Sequence, residues 1–230
     1  MPTIVMASPK GGAGKTTSAL VLATTLSRRG GRVMLIEADR NKPLAGWFKQ
    51  GRAPAGLTVT ADVSEETIID TIDEAAAAIP FVIVDLEGTA SKMISYAISR
   101  ADLVLIPTKA SQLDATQAVE ALREVGRVEK AFKLKIYAAV MITQTNPAIR
   151  PRGQAALEDA FAHNGVAVME TRLFDRQAYK EIFSYGCTLQ DLDPTKVTNI
   201  AGAIENAEAF TTEVLRRLPA RSGVRQAEVA

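Results

Sequence analysis

Near the N-terminus two lysines bracket a glycine-rich turn, Lys10-Gly11-Gly12-Ala13-Gly14-Lys15, and two hydroxyls, Thr16 and Thr17, follow directly. Cations, glycines and hydroxyls at this spacing suit a polyphosphate. Glycine lacks Cβ, so the backbone can approach the phosphates and aim several N–H groups at them. Lys15 is placed to neutralise β- and γ-phosphates, and the Thr16 hydroxyl to ligate Mg²⁺. The strict pattern G-x-x-x-x-G-K-[ST] is not met, because Pro9 stands at its first glycine. Two later apolar runs lead into carboxylates: Val33-Met34-Leu35-Ile36 into Glu37 and Asp39, and Phe81-Val82-Ile83-Val84 into Asp85. Carboxylates at strand ends lie where α/β sheets bind ligands.

These residues need a scaffold, and the hydrophobic pattern supplies one. Ile4-Val5-Met6-Ala7 reads as a buried strand before the turn, and Lys15–Arg29 as a helix stopped by Gly30-Gly31. Nearly continuous apolar runs predict parallel strands covered on both faces at Arg32–Glu37, Phe81–Asp85, Asp102–Thr108 and Ile136–Thr143. Leu57–Thr60 reads as a short strand and Val166–Val168 as the last one. Helices are expected from Ser64 to Pro80, from Ser111 to about Lys130, over Arg150–His163, and from Asp175 to Gly186. Asp193-Pro194 reads as the start of a closing helix that ends near Leu218. Alternating strands and helices imply an α/β fold, a mostly parallel twisted sheet with helices on both faces. One domain, 1–218, is expected, with 219–230 as a flexible tail.

With its extra lysine, the K-G-G-A-G-K-T-T segment resembles the deviant Walker A motif of the ParA/MinD family of ATPases. The resemblance covers nearly the whole chain, and the size and layout are also similar to the ParA-like helper of T-DNA transfer in agrobacteria. It implies a P-loop NTPase fold, ATP and Mg²⁺ as ligands, weak ATPase activity, and an ATP-dependent homodimer. In that dimer Lys10 reaches the phosphates of the partner's ATP. Asp39 matches the residue that positions the attacking water and the Mg²⁺ shell, and Asp85 matches the Walker B aspartate that holds a Mg²⁺-bound water. Gly88 is placed to offer an N–H to the γ-phosphate. Gln144, in the loop Thr143–Pro147, falls where relatives contact adenine. The chain departs from the family pattern at three positions. Glu37 stands for an aspartate, while Arg40 and Glu87 each stand for a proline.

Composition bounds the partners. A net charge of +1 leaves no globally basic surface, so a nucleic-acid contact must use a local patch. Arg123, Arg127, Lys130, Lys133, Lys135, Arg150 and Arg152 form one candidate, and Arg216, Arg217, Arg221 and Arg225 another. Taken with the resemblance, they imply nonspecific DNA binding in the ATP state and release when an adaptor, ParB-like or cargo-borne, stimulates hydrolysis. A MinD-type membrane helix is the alternative at the C-terminus, but Glu205, Glu208 and Glu213 disfavour an anionic bilayer. An Fe–S carrier needs paired cysteines, and Cys187 is the single one. A single histidine, His163, makes no zinc site. With no apolar run near ~20 residues and no leader pattern, a cytoplasmic protein is expected.

Overall fold

A computed structural model describes residues 1–9, 11–87, 92–147 and 152–219. Its strands are β1 (Thr3–Met6), β2 (Val33–Ala38), β3 (Leu57–Thr60), β4 (Phe81–Leu86), β5 (Leu103–Lys109), β6 (Tyr137–Thr145) and β7 (Leu173–Phe174). The helices are α1 (Lys15–Arg28), α2 (Pro43–Phe48), α3 (Ile68–Ala78), α4 (Lys92–Ile98), α5 (Gln112–Phe132), α6 (Arg152–His163), α7 (Gln177–Ser184) and α8 (Ile200–Arg217). All strand pairs among the described residues are parallel, in the order β3-β2-β4-β1-β5-β6-β7. The chain builds β2, β3 and β4 on one side of β1 and then crosses from β4 to β5 on its other side, so a crevice opens at the carboxyl ends of the central strands.

Strand alternation sorts the core into two layers. Ile4, Met6, Leu35, Ile83, Leu105 and Met141 face α1, α2, α7 and α8. Val5, Ile36, Val84, Val104 and Val140 face α3, α4, α5 and α6. Every one of these strand residues is fully buried, as a sheet covered on both faces requires.

Four boundaries differ from the sequence reading. α3 begins at Ile68 rather than Ser64, because Ser64 and Thr67 close a side-chain turn first. Ser64 N donates to Thr67 Oγ1 at 2.9 Å, and Glu66 N donates to Ser64 Oγ at 3.2 Å. Val166–Val168 is not the last strand. It touches β6 only at the Val140–Val168 bridge, and the ladder resumes at β7. The intervening amides of Glu170 and Thr171 donate instead to Glu213 of α8, at 2.9 and 2.7 Å. Asp193 does not cap the closing helix. Its carboxylate accepts from Thr195 N and Oγ1, and Asn199 caps α8 by accepting from Gly202 N. Finally, β6 runs on to Thr145, which puts Gln144 in the strand rather than in the following loop.

Glu213 also leaves the acidic face that the sequence assigns to α8. It is 3 % exposed and paired with Arg217 at 2.8 Å. The apolar stripe of α8, with Ala207, Phe210 and Val214 buried, packs across α1 and the β7 edge.

Candidate functional site

The glycine-rich turn joins β1 to α1 at the head of the crevice. Gly14 is the N-cap of α1 at φ 93, a left-handed value that glycine adopts without strain. Gly12 has φ 74. Neighbouring strands brace the turn: Thr143 Oγ1 donates to Ala13 O at 2.7 Å, and Gln144 Nε2 donates to Gly12 O at 2.9 Å. Gln144 therefore supports the loop from beside it, from a residue held at φ 54. No acidic residue occupies the first turn of α1, so its dipole is left to attract an anion.

Lys15 is 6 % exposed, and its Nζ donates to Ser8 O at 3.2 Å. Burial draws its pKa below the usual lysine value, while Asp85, Asp39 and Glu87 pull it back up. Those three carboxylates thus lie within electrostatic reach of one ammonium. Asp85 is fully buried, and neither of its oxygens has a hydrogen-bond partner. Burial pushes its carboxyl up to about 7. The Thr16 hydroxyl and Lys15 oppose that rise, Thr16 facing Asp85 without reaching hydrogen-bond geometry. A buried carboxylate with two unmet acceptors costs stability unless a donor or cation arrives. Mg²⁺ meets the need, since it takes oxygen ligands from one or two carboxylates, a hydroxyl, waters and substrate phosphates. Among the described residues no three His, Cys, Asp or Glu side chains cluster into an all-protein metal cage.

Glu37 is engaged by the fold itself. It lies in register with Asp85, but its carboxylate accepts from Leu44 N at 2.6 Å and Ala45 N at 2.8 Å, capping α2. Burial raises its pKa, and these two amides work against the rise. Asp39 makes no such cap. Its Oδ1 accepts from Asn41 N at 2.8 Å, and it lines a cleft of about 350 Å³ with Glu37, Arg40 and Glu87. Thr16 and Thr17 are half-buried at the start of α1, and Gly11 is exposed. Lys10, Gly88, Arg150, Arg221 and Arg225 lie outside the described residues.

A second cleft, of about 380 Å³, runs from Gly14 and Thr17 past Gln144 to Phe174, Arg176, Tyr179 and Lys180. The Arg176 guanidinium stands 5.3 Å from the Phe174 ring centroid. The sequence reading missed these residues, although Asp175-Arg176 stood at its expected helix start. Of the basic residues it singled out, Arg123 and Arg127 pair with Glu120 and Glu124 on their own helix, and Arg217 pairs with Glu213. Lys130, Lys133 and Lys135 are exposed beside exposed Phe132, Leu134 and Tyr137. This group sits at the start of β6, at the end of the sheet opposite the crevice.

A model of the VirC1 protein family matches residues 1–220. The protein ParA of Rhizobium radiobacter is 42% identical over 218 residues, covering 95% of this chain and 98% of that protein. Maintenance of carboxysome distribution protein A from Halothiobacillus neapolitanus is 29% identical, covering 83% and 87%. Among solved structures, an ATP complex of a Cyanothece McdA variant superposes with a TM-score of 0.71 at 16% identity, covering 97% of this chain and 99% of that one.

Proposed function

This chain belongs to the VirC1 family, among ParA/MinD-like partition and positioning ATPases, and from that premise we propose that it is an ATP-switched dimer that grips DNA nonspecifically and releases it on hydrolysis. The observation that carries the reading is Asp85: a buried, unpartnered carboxylate beside Thr16 and Lys15, below a glycine turn. Bound Mg²⁺ would supply charge on the β- and γ-phosphates and order the attacking water. Thr16 and Asp85 would hold it, with Asp39 at its outer shell. Lys15 binds the phosphates, and backbone amides of the Gly11–Thr17 turn orient them. Asp39, half-exposed at the rim, orients the water for in-line attack. The cleft lined by Phe174 and Arg176 receives the base, with Gln144 stiffening the loop next to it. Lys10 reaches the partner's phosphates across the dimer.

Lys130, Lys133 and Lys135 support the DNA reading. They make no ion pair among the described residues and lie at the end of the sheet opposite the crevice, so two chains joined through their nucleotides leave them outside. Cations there bind phosphates without reading sequence, and Phe132 and Tyr137 add apolar contact. An adaptor that triggers hydrolysis, in a cytoplasmic, nucleoid-associated cycle, completes the proposal. A membrane-positioning role is less favoured, because the apolar face of α8 is already buried in the core.

The test is DNA binding with a non-hydrolysable ATP analogue at several salt concentrations. Lys130→Ala, Lys133→Ala and Lys135→Ala combined should weaken binding equally across sequences and reduce the salt slope by roughly 2–3. Lys15→Ala should abolish nucleotide binding by calorimetry and DNA binding with it. A wild-type chain that binds ATP but no DNA would remove the partition reading.

A further inference from the structure

Arg40 and Glu87 lie in two separate loops, and the structure brings them together. Arg40 Nε lies 3.3 Å from Glu87 Oε2. Arg40 belongs to the loop after β2, directly beyond Asp39, and Glu87 follows β4 two residues beyond Asp85. Both line the 350 Å³ cleft. Neither has another hydrogen-bond or ion-pair partner among the described residues.

We propose that this ion pair is a clasp between the two loops, and that Arg40 and Glu87 are positioning residues for hydrolysis. Each of the two residues lies just beyond the last ladder pair of its strand, Ala38–Leu86, and the ion pair links the chains where backbone pairing has ended. Asp85 is fixed inside the β2–β4 ladder, whereas Asp39 lies one residue beyond it and next to Arg40, so the clasp restrains the loop that carries Asp39. Charge gives a second argument. Glu87 adds a third carboxylate to those facing Lys15. Unpaired, it would repel an incoming γ-phosphate; paired with Arg40, it presents little net charge. Arg40 is 88% exposed in its side chain, so the clasp is loose and can open. An exposed pair couples two groups by no more than about fivefold, so the clasp tunes turnover and does not create the site.

The inference rests on the ATPase reading, so its test has one arm that needs no ATP. The Arg40–Asn41 bond is a trypsin site, and the nearby Lys42–Pro43 bond resists trypsin. In the nucleotide-free full chain, Glu87→Gln should speed cleavage after Arg40 about threefold, the scale of an exposed pair. Glu65→Gln, in the same cleft but unpaired with Arg40, should not. In the second arm, Arg40→Glu and Glu87→Arg should each lower kcat about three- to fivefold. The double charge swap should return kcat to within about twofold of wild type, and added salt should shrink the single-variant losses. KM for ATP should follow net charge, rising in Arg40→Glu and falling in Glu87→Arg, whereas kcat falls in both single variants. Unchanged cleavage in Glu87→Gln, or a double variant whose loss equals the product of the singles, overturns the clasp. If wild type hydrolyses no ATP while Glu87→Gln still speeds cleavage, the proposed function fails and the clasp stands.

Discussion

Glu37 and Asp85 face one another in register across the β2–β4 ladder, yet they do different work. The extra methylene lets Glu37 reach forward to the N-terminus of α2, where two amides donate to its carboxylate. Asp85 is shorter, and neither of its oxygens reaches a donor among the described residues. Glu37→Ala would strand the amides of Leu44 and Ala45, so it should lower stability by about 1–2 kcal/mol in urea unfolding. It should also relieve the repulsion that helps raise Asp85, so nucleotide binding should survive better than stability. Loss of binding with unchanged stability would place Glu37 at the phosphates after all. At this scale the sequence was informative wherever a residue sits at a fixed offset from a strand end, as Lys15, Thr16, Asp39 and Asp85 do. It did not reveal Phe174 and Arg176. They reach the cleft beside Gly14 only because β7 pairs with β6, a tertiary event that leaves no local spacing to read.

Helix α8 illustrates how an element's charges mislead when counted rather than placed. Glu213 reads as one of three solvent carboxylates. In the fold it stitches the irregular stretch before β7 to the helix, through Glu170 N, Thr171 N and Arg217. Burial alone would raise its pKa, but those two amides and Arg217 more than offset it and hold the carboxyl below the ordinary 4.5. A carboxyl depressed in the folded state stabilises the protein fully above its unfolded value, and that contribution fades as pH falls through the folded value. Urea midpoints of wild type should therefore drop with acidification below about pH 4.5 more steeply than those of Glu213→Gln. Parallel curves for the two would mean the amides do not depend on the charge. The same stitch explains why Val166–Val168 failed as a strand. Its β-branched residues favour a ladder locally, but the next amides are claimed by another element.

The order of elements and the two-layer core were legible because parallel strands buried on both faces leave unbroken apolar runs, and ladder partners need only be inferred one strand at a time. The proposed dimer is different, since it depends on a second copy. Lys10→Ala should weaken ATP-dependent association by roughly 2–5 kcal/mol, as for one side of a desolvated charge pair, while ATP binding to a single chain largely persists. Light scattering with a non-hydrolysable analogue measures it, and undiminished dimers would leave only a generic P-loop ATPase. The central place of β1 has a consequence for synthesis. Thr3–Met6 leave the ribosome well before their neighbours, Phe81–Leu86 and Leu103–Lys109. The glycine turn is thus translated long before the strands that will brace it, and β1 must wait unpaired as an apolar segment. Stalled nascent chains that end before Phe81 should retain no ATP and should need chaperone cover. Chains long enough to expose Thr145, and with it the support from Thr143 and Gln144, should be the first to capture nucleotide while still being made.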